Sequence, residues 1–163
     1  MVRIDKENYY LDIAETVLER STCARKCYGA IIVRNDEIIA TGYNGAPRGR
    51  ANCTDLGYCI RKKLNIPSGQ RYELCRSVHA EANCIISAER SDMIGGTIYL
   101  VGREYDTGEL VPDPQPCSMC RRLIINAGIS KVVMRNSPDR YTVADVEDWI
   151  SNDESVLDSN YQL

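Results

Sequence analysis

The sequence contains a single histidine, no excess of positive charge and no long apolar run. Lys and Arg together number 20 against 23 Asp and Glu, and the net charge of −3 argues against a sequence-independent nucleic-acid-binding protein, since such proteins are usually basic. No apolar run approaches the roughly 20 residues of a membrane-spanning helix, and the N-terminus lacks the apolar stretch of a signal peptide. We therefore expect a cytoplasmic protein with neither a nucleic acid nor a membrane as its partner.

What the sequence does contain is eight cysteines in 163 residues. In a reducing compartment, cysteines are more often metal ligands than members of disulfides. The length fits one domain over residues 1–163, and the acidic tail from about 151 is expected to be loose.

The apolar pattern predicts an α/β protein. Strands that alternate with helices in the second half indicate a parallel pairing there, and residues 50–76 show no regular pattern. We expect helix N-caps at Asp5, Ser77 and Thr142, which are residue types that favour that position. The predicted elements are a helix over 5–20, a β-hairpin over 28–41 that turns at Asn35-Asp36, helices over 79–90, 117–127 and 142–150, and strands over 97–101 and 131–134.

One imidazole and two thiols have the spacing of a catalytic zinc site. His79 is followed two residues later by Glu81, and a proline introduces Cys117 and Cys120 further along the chain. Three protein ligands leave the fourth position of a tetrahedral zinc open for water, which is typical of catalysis. We predict that His79, Cys117 and Cys120 bind Zn²⁺ and that Glu81 is the catalytic proton carrier.

Two other interpretations of these residues stay open. The first is a buried histidine with two unrelated thiols, which the paired motifs at two predicted helix starts make improbable. The second is a structural zinc with a fourth protein ligand. Cys84 is the obvious candidate, but it lies on a different face of the predicted helix from His79.

The motifs resemble those of the zinc-dependent deoxycytidylate (dCMP) deaminases, within the cytidine and deoxycytidylate deaminase superfamily. The resemblance runs from about Ala24 to Met134. It implies a three-layer α/β/α cytidine-deaminase-like fold with a mixed central sheet, and hydrolysis of dCMP to dUMP with release of ammonia, feeding thymidylate synthesis. The segments that carry it are Gly42-Tyr43-Asn44-Gly45-Ala46-Pro47, Asn52-Cys53, His79-Ala80-Glu81-Ala82-Asn83 and Pro116-Cys117-Ser118-Met119-Cys120.

The resemblance also implies how the nucleotide is bound and regulated. Asn44 would bind the deoxyribose, nearby cations the 5′-phosphate, and the loop Gly42-Tyr43-Asn44-Gly45 would be regulatory. Members of the family are often homo-oligomers, commonly hexamers, and some respond to dCTP and dTTP as effectors. The substrate-binding candidates are Asn44, Ala80, Arg25, Lys26 and Tyr141.

Four cysteines left over from the catalytic pair could form a second, structural zinc site. Cys27 and Cys84 are interpreted as small buried hydrophobic residues. The remaining four cysteines flank the predicted hairpin, the glycine loop and the start of the catalytic helix, and four thiolates complete a closed site. The predicted second-site ligands are Cys23, Cys53, Cys59 and Cys75.

Two alternative functions remain. One is a deaminase of a polynucleotide, acting on tRNA adenosine or single-stranded DNA, which the acidic composition disfavours. The other is a non-catalytic zinc-binding module, which would not need the carboxylate of Glu81.

Overall fold

The computed structural model describes residues 1–153, which contain seven helices and five strands. The predicted loose tail therefore lies outside the described residues from residue 154 onward. The helices are α1 (Lys6–Leu18), α2 (Cys53–Leu56), α3 (Ile60–Lys63), α4 (Ala80–Ile86), α5 (Arg90–Met93), α6 (Ser118–Ala127) and α7 (Val146–Ser151). The strands are β1 (Lys26–Arg34), β2 (Glu37–Tyr43), β3 (Thr97–Glu104), β4 (Lys131–Arg135) and β5 (Tyr141–Asp145).

The five strands form one mixed sheet in the order β2-β1-β3-β4-β5. Strand β1 is antiparallel to both β2 and β3, strands β3 and β4 are parallel, and β5 is antiparallel to β4. The predicted hairpin and the predicted parallel pairing are both confirmed.

The sheet is covered on both faces, as the continuous apolar runs predict. On one face Ile31 and Val33 of β1 pack with Leu11 and Ala14 of α1. On the other face their strand neighbour Ile32 packs in a second cluster, with residues from α4, α6 and α7. Successive side chains of a strand point to opposite faces, so β1 contributes to both clusters. The result is the expected three-layer α/β/α arrangement.

Local signals determine where several elements begin and turn. Asn35 and Asp36 both have positive φ, at 50° and 63°, which is the geometry of a type I′ hairpin turn. The carboxylate of Asp5 accepts a hydrogen bond from the backbone N–H of Asn8 and caps α1, as predicted.

Two predicted caps are wrong. The N-cap of α4 is His79 rather than Ser77, and the helix ends at Ile86 rather than near residue 90. Thr142 lies in β5 and pairs with Met134 of β4, because Tyr-Thr-Val favours an edge strand. Asp145 caps the last helix, α7.

Residues 50–76, which the pattern predicts to be irregular, contain short regular elements. They contain the two short helices α2 and α3 and a single 3₁₀ turn at Tyr72–Leu74. This segment connects the glycine loop that follows β2 to the start of α4. Within residues 1–153, no helix combines the length and the apolar character needed to cross a membrane.

Candidate active site

Two helix starts on the same face of the sheet bring the predicted zinc ligands together. His79 is the N-cap of α4 and Cys117 is the N-cap of α6, and these two helices pack against each other. Both caps have extended backbone conformations, which is the usual geometry of an N-cap and turns each side chain away from its own helix. The ligand positions therefore follow from where the two helices begin.

The geometry of the three side chains fits zinc. His79 Nδ1 lies 3.4 Å from Cys117 Sγ and 3.5 Å from Cys120 Sγ. A tetrahedral zinc with ordinary bond lengths would separate a nitrogen and a sulfur ligand by about 3.6 Å. Of the potential ligands in residues 1–153, these three form the only group of three or more with ligand atoms all within 4.8 Å of one another.

Cys84, the candidate fourth ligand, is not part of this group. It is fully buried, and its thiol donates a hydrogen bond of 3.1 Å to the carbonyl oxygen of Ala30. The group thus offers three protein ligands, one fewer than a closed structural zinc site requires, and this is the ligand number of a catalytic zinc centre.

The charges in the cluster also suit metal binding. The hydrogen bond between the two thiols lowers the pKa of Cys117 to about 4 and raises the pKa of Cys120. Burial opposes the charged form of His79, but hydrogen bonds with Cys117 and Cys75 outweigh it and raise the pKa of His79 to about 10. Metal binding would release the protons that these groups hold, because thiolate and neutral imidazole are the forms that bind a metal.

Glu81 lies in the first turn of α4 beside this cluster and is only 5% exposed. Burial raises the pKa of its carboxyl group, although the neighbouring His79 acts in the opposite direction. A buried carboxyl group with a raised pKa beside the three potential ligands has the chemistry of a general acid and base.

A cavity opens beside the cluster and contains four of the five predicted substrate-binding residues. Arg25, Lys26, Asn44 and Ala80 all line it, together with Glu81. Lys26 begins β1, Arg25 directly precedes it, and the acidic Glu81 lies in the first turn of α4.

Asn44 is held in one orientation by its neighbours. Its Oδ1 accepts hydrogen bonds from the Tyr28 backbone N–H at 2.8 Å and from Ser21 Oγ at 2.6 Å. Its Nδ2 donates to the carbonyl oxygen of Lys26 at 2.8 Å. Because the amide group has two N–H donors, one remains for a ligand in the cavity.

The glycine loop forms backbone hydrogen bonds with the residue that precedes His79, the predicted zinc ligand. Gly45 and Val78 exchange two backbone hydrogen bonds, of 3.1 and 2.8 Å. Gly42 and Tyr43, predicted to lie in the loop, are instead the last two residues of β2, because both pair with β1. Tyr43 is exposed, and its carbonyl oxygen accepts a hydrogen bond from Asn83 Nδ2 at 2.7 Å. The loop is thus connected to α4, and its regulatory role stays a prediction.

The four remaining cysteines lie near one another. Cys23, Cys53 and Cys59 are buried and Cys75 is half-buried. Burial raises the pKa of Cys53, and the other three thiols raise it further through their charges. Their sulfur atoms are not within the 4.8 Å spacing that the catalytic group shows.

Tyr141 is not brought to the cavity. It is exposed at the start of the edge strand β5, opposite Arg135 of β4. Its electrostatic neighbour is Tyr99, which packs with Tyr10 of α1 on the opposite face of the sheet from α4 and α6. Tyr141 is not among the residues that line this cavity, and its substrate-binding role stays a prediction.

Two cavity residues were missed because they belong to the irregular segment. The ring of Tyr72 meets the ring of His79 edge to face, with centroids 4.8 Å apart. The guanidinium group of Arg61 lies 4.3 Å from the centre of the Tyr72 ring. The length of this segment and its basic residues were the available signals, but no periodicity indicated which of them face the site.

The chain is similar to known deaminases over most of its length. Residues 4–136 match the model of the cytidine and deoxycytidylate deaminase zinc-binding region. A deoxycytidylate deaminase of Mycobacterium phage D29 is 38% identical, over 82% of this chain and 96% of the phage protein. A deoxycytidylate deaminase of Schizosaccharomyces pombe is 33% identical over 80% of this chain, which spans only 37% of the yeast protein.

The fold is also similar to that of a deaminase of known structure. The dCMP deaminase of cyanophage S-TIM5, in complex with dCMP and dUMP, superposes with a TM-score of 0.53 at 25% identity, over 82% of this chain and 85% of the phage chain. The zinc-binding model covers both ligand motifs, and the fold and the sequence similarity agree. The chain therefore belongs to the family of zinc-binding cytidine and deoxycytidylate deaminases.

Proposed function

We infer that this protein catalyses the hydrolytic deamination of dCMP to dUMP with release of ammonia, and so feeds thymidylate synthesis. The observation that carries this inference is the cluster of His79, Cys117 and Cys120 beside a buried Glu81, in a cavity lined by cationic side chains. The relatives that it resembles over most of their length are deoxycytidylate deaminases.

The roles of the residues follow from their chemistry. Zinc held by His79, Cys117 and Cys120 would lower the pKa of a coordinated water toward about 7. Glu81 accepts the proton of the attacking water and donates it to the ring nitrogen of cytosine. Glu81 then assists departure of the amine from C4, so that water replaces the amine and ammonia leaves.

Four residues are proposed to bind the nucleotide. Asn44 donates its remaining amide hydrogen to the deoxyribose, and Ala80, at the start of α4, lies against the base. Arg25 and Lys26 provide positive charge for the 5′-phosphate, since phosphate recognition in proteins uses arginine and lysine. Lys26 is also paired with Glu104 at 3.2 Å, so Arg25 is the freer of the two charges.

The test is a substrate panel on the zinc-loaded protein. dCMP, deoxycytidine, dCTP and tRNA are each incubated with the enzyme, and ammonia release is measured. We expect dCMP to be deaminated with the highest kcat/KM. Comparable rates on tRNA would favour a polynucleotide deaminase, and no turnover of any substrate would favour a non-catalytic zinc-binding module.

We propose a second zinc bound by Cys23, Cys53, Cys59 and Cys75. Support comes from the burial of three of these thiols and from the electrostatic interaction of Cys53 with the other three. Four thiolates complete a closed structural site, and on this proposal the side chains move their sulfur atoms closer together when the ion binds.

The remaining proposals concern organisation. The protein is a single domain over residues 1–163, located in the cytoplasm, where its eight unpaired cysteines stay reduced. It forms a homo-oligomer, with a hexamer favoured. dCTP and dTTP act as effectors through the loop Gly42-Tyr43-Asn44-Gly45.

A further inference from the structure

Arg61 of α3 is a buried cation in the active-site cavity. Its side chain lines the cavity, and the residue is only 5% exposed. Its Nη2 donates hydrogen bonds to the carbonyl oxygens of Pro67 at 3.1 Å and Gln70 at 2.6 Å. Its Nε is buried and has no hydrogen-bond partner. In the part of the chain that the structure describes, no carboxylate forms an ion pair with Arg61, and its electrostatic neighbour Glu73 is exposed and pairs with Arg71.

The carbonyl oxygens and the Tyr72 ring that contact this guanidinium group carry no full charge, so an anion would stabilise it further. Removing a charge from water is costly unless the charge is paired and hydrogen-bonded, and carbonyl oxygens compensate only part of that cost. Arginine cannot lose its proton to avoid the penalty. An anionic ligand in the cavity would supply the missing negative charge.

Arg25 approaches the same place from β1. Its Nη1 donates a hydrogen bond of 3.1 Å to the carbonyl oxygen of Ile66, so both arginines bind carbonyl groups of one short loop, residues 66–70. Ser68 of that loop also lines the cavity. Two guanidinium groups and a hydroxyl therefore converge at the end of the cavity that is formed by the irregular segment.

We propose that Arg61 binds the 5′-phosphate and is the main residue that selects a nucleotide over a nucleoside. This proposal rests on the deamination of dCMP proposed above and assigns the specificity of the same site. The two carbonyl bonds use Nη2, so Nη1 is the nitrogen of Arg61 that can donate to the phosphate oxygens. A lysine such as Lys26 has a single nitrogen and cannot divide the two tasks between separate nitrogens.

Tyr72 acts as a positioning residue between the two ends of the nucleotide. One face of its ring carries the guanidinium group of Arg61 at 4.3 Å, and the ring meets His79 at 82°. The phosphate-binding cation and the metal ligand are thus held by a single side chain. We expect this ring to keep the distance between the phosphate and the reacting base constant.

The cysteine cluster offers a competing role for Arg61. Cys59 is the N-cap of α3, and the charge of Arg61 acts on the thiol of Cys75. Arg61 could therefore serve as the counter-ion of four thiolates. These two roles predict different results, because only phosphate binding discriminates between dCMP and deoxycytidine.

The experiment compares both substrates on three zinc-loaded variants of the full chain. For Arg61→Gln we expect kcat/KM for dCMP to fall about 100-fold, mainly through KM, and kcat/KM for deoxycytidine to change less than about twofold. Arg61→Lys keeps the charge but has one nitrogen in place of separate groups for the loop and the phosphate, so about a tenfold loss on dCMP alone is expected. Arg71→Gln is the matched control, because Arg71 is exposed, pairs with Glu73 and is not among the residues that line the cavity.

An equal loss on both substrates, or a loss of zinc from Arg61→Gln, would overturn the proposal in favour of the counter-ion role. Unchanged activity on dCMP would overturn it directly. If Arg61→Gln does not fold, the substrate ratio of Arg61→Lys decides in the same way. A wild-type enzyme that treats dCMP and deoxycytidine equally would instead contradict the proposed function itself.

Discussion

Gly42 lies directly against the first turn of the helix that carries the catalytic residues. A Cβ atom at Gly42 would be 2.5 Å from the carbonyl oxygen of Ala80 and 2.6 Å from the backbone nitrogen of Cys84. Both neighbours are backbone atoms, so the contact cannot be relieved by a change of rotamer. The close approach of β2 to α4 thus places the glycine loop beside the zinc ligands.

The first prediction follows from this contact. Gly42→Ala should displace α4 from the sheet and destabilise the protein by about 1–3 kcal/mol, as overpacking of a dense core does. Activity should fall as well, because Ala80 and Glu81 move with the helix. Urea unfolding measures the stability. Thr41→Ala, on the exposed side of the same strand, is the control and should stay within about 0.5 kcal/mol of wild type.

The second prediction separates metal binding from proton transfer. Glu81→Gln should fold and retain zinc, because Glu81 is not in the ligand group, but should lose about 10²–10⁴-fold in kcat as a general acid–base residue. Cys117→Ser should lose the catalytic metal together with the activity. Elemental analysis and steady-state kinetics distinguish the two variants. Substantial turnover by Glu81→Gln would show that another group carries the proton.

The third prediction is the metal content. We expect two zinc ions per wild-type chain and one in Cys59→Ser, with a lower unfolding temperature because metal binding is coupled to folding. Cys84→Ser is the matched control: the serine hydroxyl can donate to Ala30 as the thiol does, and two zinc ions should remain. A single zinc in wild-type protein prepared without chelators, with four titratable thiols, contradicts the second site.

The fourth prediction concerns stability in acid. Burial acts to raise the pKa of Glu15, but hydrogen bonds from Arg103 and Arg135 outweigh it and hold the pKa below its ordinary value of 4.5. A lowered pKa in the folded state means that the ionised carboxylate stabilises the fold above pH 4.5, and that this stabilisation is lost as the pH falls through the folded-state pKa.

Glu15→Gln should therefore be less stable than wild type at pH 7, and its stability should decline less steeply below pH 4.5. Denaturant unfolding between pH 7 and pH 3 tests this. Glu19→Gln, at the exposed end of the same helix, should follow the wild-type curve. Parallel curves for Glu15→Gln and wild type would mean that the carboxylate of Glu15 contributes no linked stability.

The site was predictable where its chemistry is local in sequence. His79 and Glu81 share one helix turn, Cys117 and Cys120 share another, and both pairs follow breaks in the apolar pattern. Arg61 and Tyr72 lie in a segment without periodicity, and only tertiary contacts with His79 and with loop 66–70 select them. No local signal separates these two from the other basic and aromatic side chains nearby.

The elements of the fold were likewise predictable only where the signal is local in the sequence. The hairpin was predictable because Asn35 and Asp36 tolerate positive φ between two apolar runs. Strand β5 was missed because its residues are mostly exposed and run directly into α7, so Thr142 resembled a helix cap. Its pairing with Met134 depends on β4, which no pattern within residues 141–145 reveals.

The position of two metal ligands at helix N-caps affects the entropy of metal capture. His79 and Cys117 have almost the same backbone angles, with φ of −72° and −67° and ψ of 155° and 166°. These angles are fixed when α4 and α6 form, so the backbone freedom of both ligands is already lost before an ion arrives. The apoprotein should therefore bind zinc as a rigid chelator does, with a small ordering penalty on association.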